Sequence, residues 1–105
     1  SGTSDVVGFW NGRLSVIDWK SSAKVKERRY IDGYFIQGTF YSLAFQERTG
    51  LKADQIVIVI ACDESPEPLI FIEERAPWIR RVFDVVDAYV MQSEYDFDRG
   101  TFFNA

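Results

Sequence analysis

At 105 residues and a net charge of −4, the chain has room for one domain with a modest core, and its acidic balance on average disfavours nucleic acid. Nearly half of it is apolar and 16% is aromatic, which excludes a disordered polar tract. No apolar run reaches the roughly 18–20 residues needed to span a bilayer, the single cysteine, Cys62, excludes an internal disulfide or a cysteine-based zinc cluster, and the absence of histidine excludes His-dependent triads and His-ligated metals.

Any metal site must therefore be built from oxygen ligands, which favours Mg²⁺, Mn²⁺ or Ca²⁺. The start, SGTSDVVG, has neither the basic nor the apolar region of a signal peptide, so a cytoplasmic protein with no membrane partner is expected. A strand pattern begins within a few residues, with no helix ahead of it, as in a minimal domain or one that continues upstream.

Residues 5–10 and 13–19 are rich in Val, Ile, Phe and Trp, and Asn11-Gly12 lies between them. Asn-Gly favours a two-residue type I′ turn, because both central positions need positive φ. That turn pairs residues whose numbers sum to 23, so Val7 faces Val16 and Asp5 faces Asp18. Cross-strand partners point to one face with Cβ atoms about 4.5–5.5 Å apart, and Lys20 shares that face by the period of two. Opposed carboxylates repel, and a cation between them would resolve the conflict. The plainer alternative is that Asp5 precedes the strand and Asp18 caps a loop, both solvated, with Lys20 a salt-bridged or solvated lysine.

Residues 21–33 read as a polar, basic loop closed by Asp32-Gly33. Lys20, Lys24, Lys26, Arg28 and Arg29 crowd into ten residues with one acid, Glu27, a strip that could follow a phosphate backbone or simply be solvated. Tyr30 and Tyr34 flank it and leave base stacking open. A helix is expected over about 34–49, with Ile36, Phe40, Leu43 and Ala44 as its buried stripe and Gly50 as its stop. Gln37 and Tyr41, four apart, share an adjoining face that could touch a phosphate or a base, or could merely pack and be exposed.

Residues 55–61, QIVIVIA, suit a strand buried on both faces, and Cys62 after them reads as inert packing. The loop CDESPEP leads to a short strand at 69–72, nearer an edge. A second helix is expected over about 76–95, with Pro77 in its first turn and Ile79, Val82, Phe83, Val86, Tyr89 and Val90 as its apolar stripe. Trp10, Trp19 and Trp78 read as core or surface anchors rather than stacking platforms.

Gly2-x-x-Asp5, Ile17-Asp18-Trp19-Lys20 and Gln37-x-x-x-Tyr41, in that order, resemble the PD-(D/E)XK nuclease superfamily, and within it the RecB-like exonucleases, which include phage exonucleases and the mitochondrial genome-maintenance exonuclease. The resemblance spans roughly residues 2–61. It implies an α/β, restriction-endonuclease-like core: a small mixed sheet containing the 5–10/13–19 hairpin, flanked by helices about 34–49 and 76–95, forming a single nuclease-like domain. It further implies Mg²⁺ or Mn²⁺ on Asp5, Asp18 and the backbone carbonyl of Trp19, with Lys20 positioning the attacking water. Gln37 and Tyr41, joined by Lys24, Lys26, Arg28 and Arg29, would contact single-stranded DNA or duplex ends. The implied activity is metal-dependent DNA exonuclease action in phage or bacterial replication, recombination or repair, in the bacterial or phage-infected host cytoplasm. The family pattern also includes an acidic residue on a helix ahead of the Gly-x-x-Asp strand, which these residues do not supply. Hence the alternative expectation of a catalytically incomplete module that binds nucleic acid or serves assembly, with sheet surface that self-association would cover.

Overall fold

Asn11 and Gly12 take φ values of 51° and 80°, as the Asn-Gly turn requires, and they join β1 (Thr3–Trp10) to β2 (Arg13–Ser22). In this computed structural model, which describes residues 3–22 and 28–98, the chain continues through α1 (Arg28–Thr49), β3 (Gln55–Cys62), β4 (Leu69–Glu74) and α2 (Ala76–Asp98). The four strands form one mixed sheet in the order β1-β2-β3-β4. β1 and β2 are antiparallel, β2 and β3 are parallel across the α1 crossover, and β4 returns antiparallel as an edge strand. The sheet is thus small and mixed, as expected, and the hairpin register is the one the turn dictates, with Val7 opposite Val16 and Asp5 opposite Asp18.

β3 is the most apolar strand, and its residues Gln55–Ile60 are all buried, as its unbroken Ile/Val run implies. One sheet face meets the helices: Val16, Ile56, Ile58 and Ile60 pack with Ile31 and Phe35 of α1 and Trp78 of α2. Phe35 and Trp78 stack with ring centroids 5.4 Å apart, which pins the start of α2 to α1. The other face holds a smaller cluster of Ile17, Val57 and Val59, with Trp10 against it, to which neither helix contributes. Val6, Trp19, Ile70 and Ile72 are exposed there. The helices therefore share one side of the sheet rather than flanking it.

Three expectations need correction. α1 begins at Arg28, so residues 28–33, read as loop, are its first turns; the polar run there carries no apolar periodicity but includes Ile31, which is buried on the sheet. The buried stripe of α1 is Ile31, Phe35, Thr39 and Ser42; of the expected stripe Ile36 packs partly against the core, Leu43 is half-buried, and Phe40 and Ala44 are exposed. Small residues serve that contact because the helix lies close: a Cβ on Gly38 would come within 2.7 Å of Ile56 Cγ2. The predicted stripe instead turns toward α2, where Ile36, Phe40, Leu43 and Ala44 border grooves along the helix–helix seam. On α2, Val82 is buried, whereas Phe83, Tyr89 and Val90 are exposed. Gly50, at φ 76°, ends α1 as expected, its N–H donating to Gln46 O at 2.8 Å. Among the described residues, no helix is long and apolar enough to cross a membrane.

Candidate metal centre

The hairpin carries Asp5 and Asp18 onto the helix-covered side of the sheet as direct cross-strand partners. Asp18 lies on β2, between β1 and β3, and is fully buried at 0% exposure. Lys20, two residues on and also buried, brings Nζ to 3.0 Å from Asp18 Oδ2. The ammonium sits 4.2 Å from the ring centroid of Tyr34, so α1 closes the site with an aromatic face.

With both groups as carboxylates, Asp5 Oδ1 and both Asp18 oxygens are buried and meet no hydrogen-bond donor, the Lys20 ammonium being an ion contact without hydrogen-bond alignment; a proton on Asp5 would supply the missing donor. Two carboxylates thus face one ammonium in a desolvated place. Burial first, then the hydrogen-bonding and charge effects of Asp18, push the Asp5 carboxyl up to about 6, while Lys20 pulls the other way. A proton on Asp5 could be shared with Asp18; a divalent cation would satisfy the same oxygens with two charges. The orphaned oxygens fit an oxygen-liganded cation. Among the described residues, no group of three or more His, Cys, Asp or Glu side chains forms a metal-holding cluster, so the side-chain donors here are the two aspartates.

The remaining expected site residues are distributed around this core. The Trp19 side chain alternates to the opposite sheet face and is exposed, while its carbonyl belongs to a strand paired on both edges. Gln37 and Tyr41 are exposed on α1, and neither makes a hydrogen bond or ion contact with Asp5, Asp18 or Lys20. Gln37 instead borders the α1/α2 seam. Arg28 and Arg29 are the first residues of α1, and Lys24, Lys26 and Gly2 lie outside the described residues. Tyr34 is the contact that sequence reasoning did not assign to the site. It stands three residues before Gln37 and seven before Tyr41, on the same helical flank, and that spacing was its available signal.

Cys62 is buried, as an inert packing role requires. Compared with known proteins, the chain matches no protein-family model and no curated protein.

Proposed function

We propose that this chain is the metal-binding core of a Mg²⁺- or Mn²⁺-dependent DNA exonuclease with a restriction-endonuclease-like fold, of the RecB-like kind that its Asp5, Asp18-Trp19-Lys20 and Gln37-x-x-x-Tyr41 pattern resembles. The observation that carries it is the in-register Asp5–Asp18 pair, in which Asp18 is buried, Asp5 half-buried, and Asp5 Oδ1 and both Asp18 oxygens lack hydrogen-bond donors, next to a buried lysine. Such a pair is unfavourable in itself, and binding a cation is the function that would make it useful.

Asp5 and Asp18 would hold the cation, with the Trp19 carbonyl as a further donor. Bound there, a divalent ion supplies an activated water and stabilises charge on the phosphoryl oxygens. Lys20, held by Asp18 and Tyr34, would orient that water or meet the developing negative charge. Asp18 would hold the Lys20 ammonium in place, and Tyr34 would exclude solvent from its outer side. Gln37, Tyr41 and the basic residues Lys24, Lys26, Arg28 and Arg29 would bind the DNA strand.

The test is degradation of end-labelled single- and double-stranded DNA with Mg²⁺ or Mn²⁺. Asp18→Ala and Lys20→Ala are each expected to abolish it; activity that survives both would remove the site. A second reading, an incomplete nuclease-fold module that binds nucleic acid or serves assembly, is favoured by one observation: among the described residues two carboxylates converge, and a lysine already meets one of them. Calorimetric titration with Mn²⁺ separates the two, because the module predicts DNA binding without saturable metal binding.

A further inference from the structure

We propose that the seam between α1 and α2 binds a single-chain amphiphilic carboxylate, its head group on Arg75 and its tail along Phe40, Val82 and Val86. Arg75 lies in the bend between β4 and α2 and is only 5% exposed. Its Nη1 donates to Ser42 Oγ at 3.1 Å and to Gln46 Oε1 at 2.8 Å, both neutral acceptors. No carboxylate among the described residues forms an ion pair with it. Buried charges are normally paired, because desolvating one without a counter-charge is costly. The C-terminal turn of α1, which carries Gln46, opposes the guanidinium with roughly half a negative charge, so positive charge is left over.

That surplus faces an apolar trough. A groove of about 690 Å³ is bordered by Arg75 together with Phe40, Val82, Phe83 and Val86. A second, of about 500 Å³, shares Phe40, Val82 and Val86 and continues to Val85 and Tyr89. Phe40 is 55% exposed and Tyr89 72%, so a tail laid along the seam would remove large apolar surface from water. The two grooves join one buried cation to a long apolar path, which is the shape and polarity of a fatty acid.

The head group follows from the remaining donors. Ser42 and Gln46 occupy Nη1, leaving the rest of the guanidinium fork for a planar monoanion. Glu47 borders the same groove and disfavours a dianionic phosphate. The site is separate from the Asp5–Asp18 pair and does not rest on the nuclease proposal.

The experiment is calorimetric titration of the full chain with decanoate, kept well below its critical micelle concentration, beside octanoate, decanol and acetate. Saturable one-to-one decanoate binding is expected, tightening about fourfold per added methylene and exceeding decanol by about tenfold or more through the charged contact. Arg75→Gln, verified as folded by circular dichroism, should reduce decanoate to the level of decanol. Phe40→Ser alters an exposed residue and should weaken decanoate while keeping its advantage over decanol; Glu47→Gln should strengthen it. If Arg75→Gln does not fold, the decanoate–decanol difference in the unmodified chain and the Phe40→Ser result decide the matter. Equal binding of decanol and decanoate, no saturable binding, or binding only to lipid vesicles would overturn the proposal.

Discussion

The hairpin carries two charge clusters of the same composition at its opposite ends, and they behave in opposite ways. Near the turn, Arg13 holds two carboxylates: Asp54 at 2.8 Å and Glu74 through both guanidinium nitrogens. At the far end, Lys20 meets Asp18 while Asp5 stands across the strand pair. Each cluster is one cation to two acids. In the first, hydrogen bonds from Arg13 hold the Asp54 and Glu74 carboxyls below their usual range, and the Arg13 guanidinium is raised in turn. In the second, burial and Asp18 push Asp5 upward. The planar Arg13 fork, in partial contact with water, satisfies two carboxylates at once, whereas the buried Lys20 ammonium contacts Asp18 but not Asp5. The first cluster is complete as a clamp joining β2 to β3 and β4. Among the described residues the second is left short of positive charge, which is the property expected of a binding site rather than of a staple.

The contrast predicts a graded set of responses. Removing the cation of the buried cluster should do most: Lys20→Met leaves the buried Asp18 carboxylate, with half-buried Asp5 across from it, without a counter-charge, and urea unfolding without metal should show a loss of about 3–5 kcal/mol. Added Mn²⁺ should recover part of that loss, and a variant as stable as the parent would show that the pair is solvated.

Neutralising the surplus acid should act in the other direction. Because the folded Asp5 carboxyl lies near 6, against an ordinary value of 3.8, the folded state holds an extra proton between those values. Metal-free stability should therefore fall as pH rises from about 4 to about 6 and then level off, by on the order of 1 kcal/mol once solvent screening of the half-exposed Asp5 is allowed for. Asp5→Asn should abolish that slope, raise metal-free stability at pH 7.5, and weaken Mn²⁺ binding measured by calorimetry. A slope unchanged in Asp5→Asn would place the titration elsewhere.

The smallest effect belongs to the solvated clamp. Asp54 and Glu74 are depressed, so their contribution is present above their unfolded values and is lost as pH falls toward their folded ones. Arg13→Lys should lower the melting temperature only slightly, and high salt should shrink the difference further. A larger drop than that of Lys20→Met would reverse the ranking of the two clusters.

The difference between the clusters was partly legible in advance. Asn11-Gly12 fixed a two-residue turn, and the turn alone paired Asp5 with Asp18, because register follows from turn length and side-chain period. The unbroken Ile/Val run of β3 likewise announced a strand buried on both faces. α1 was less legible. Its apolar residues follow the seam with α2, while the positions on the sheet include Gly38, Thr39 and Ser42, which carry no hydrophobic signal. Periodicity reports that a face is apolar, not which neighbour will cover it.

What the sequence determined by itself was local: strand, turn, register, the shared face of Asp5, Asp18 and Lys20, and the Gly50 stop. Only the tertiary structure decided which charges would lose their water. Arg13, Lys20 and Arg75 are ordinary basic residues in the chain, yet one meets two acids at the surface, one is buried beside a carboxylate and a tyrosine ring, and one is buried against neutral partners. Desolvation depends on everything packed around a group, from β1 at one end of the sequence to α2 at the other, and no short window of residues contains that information.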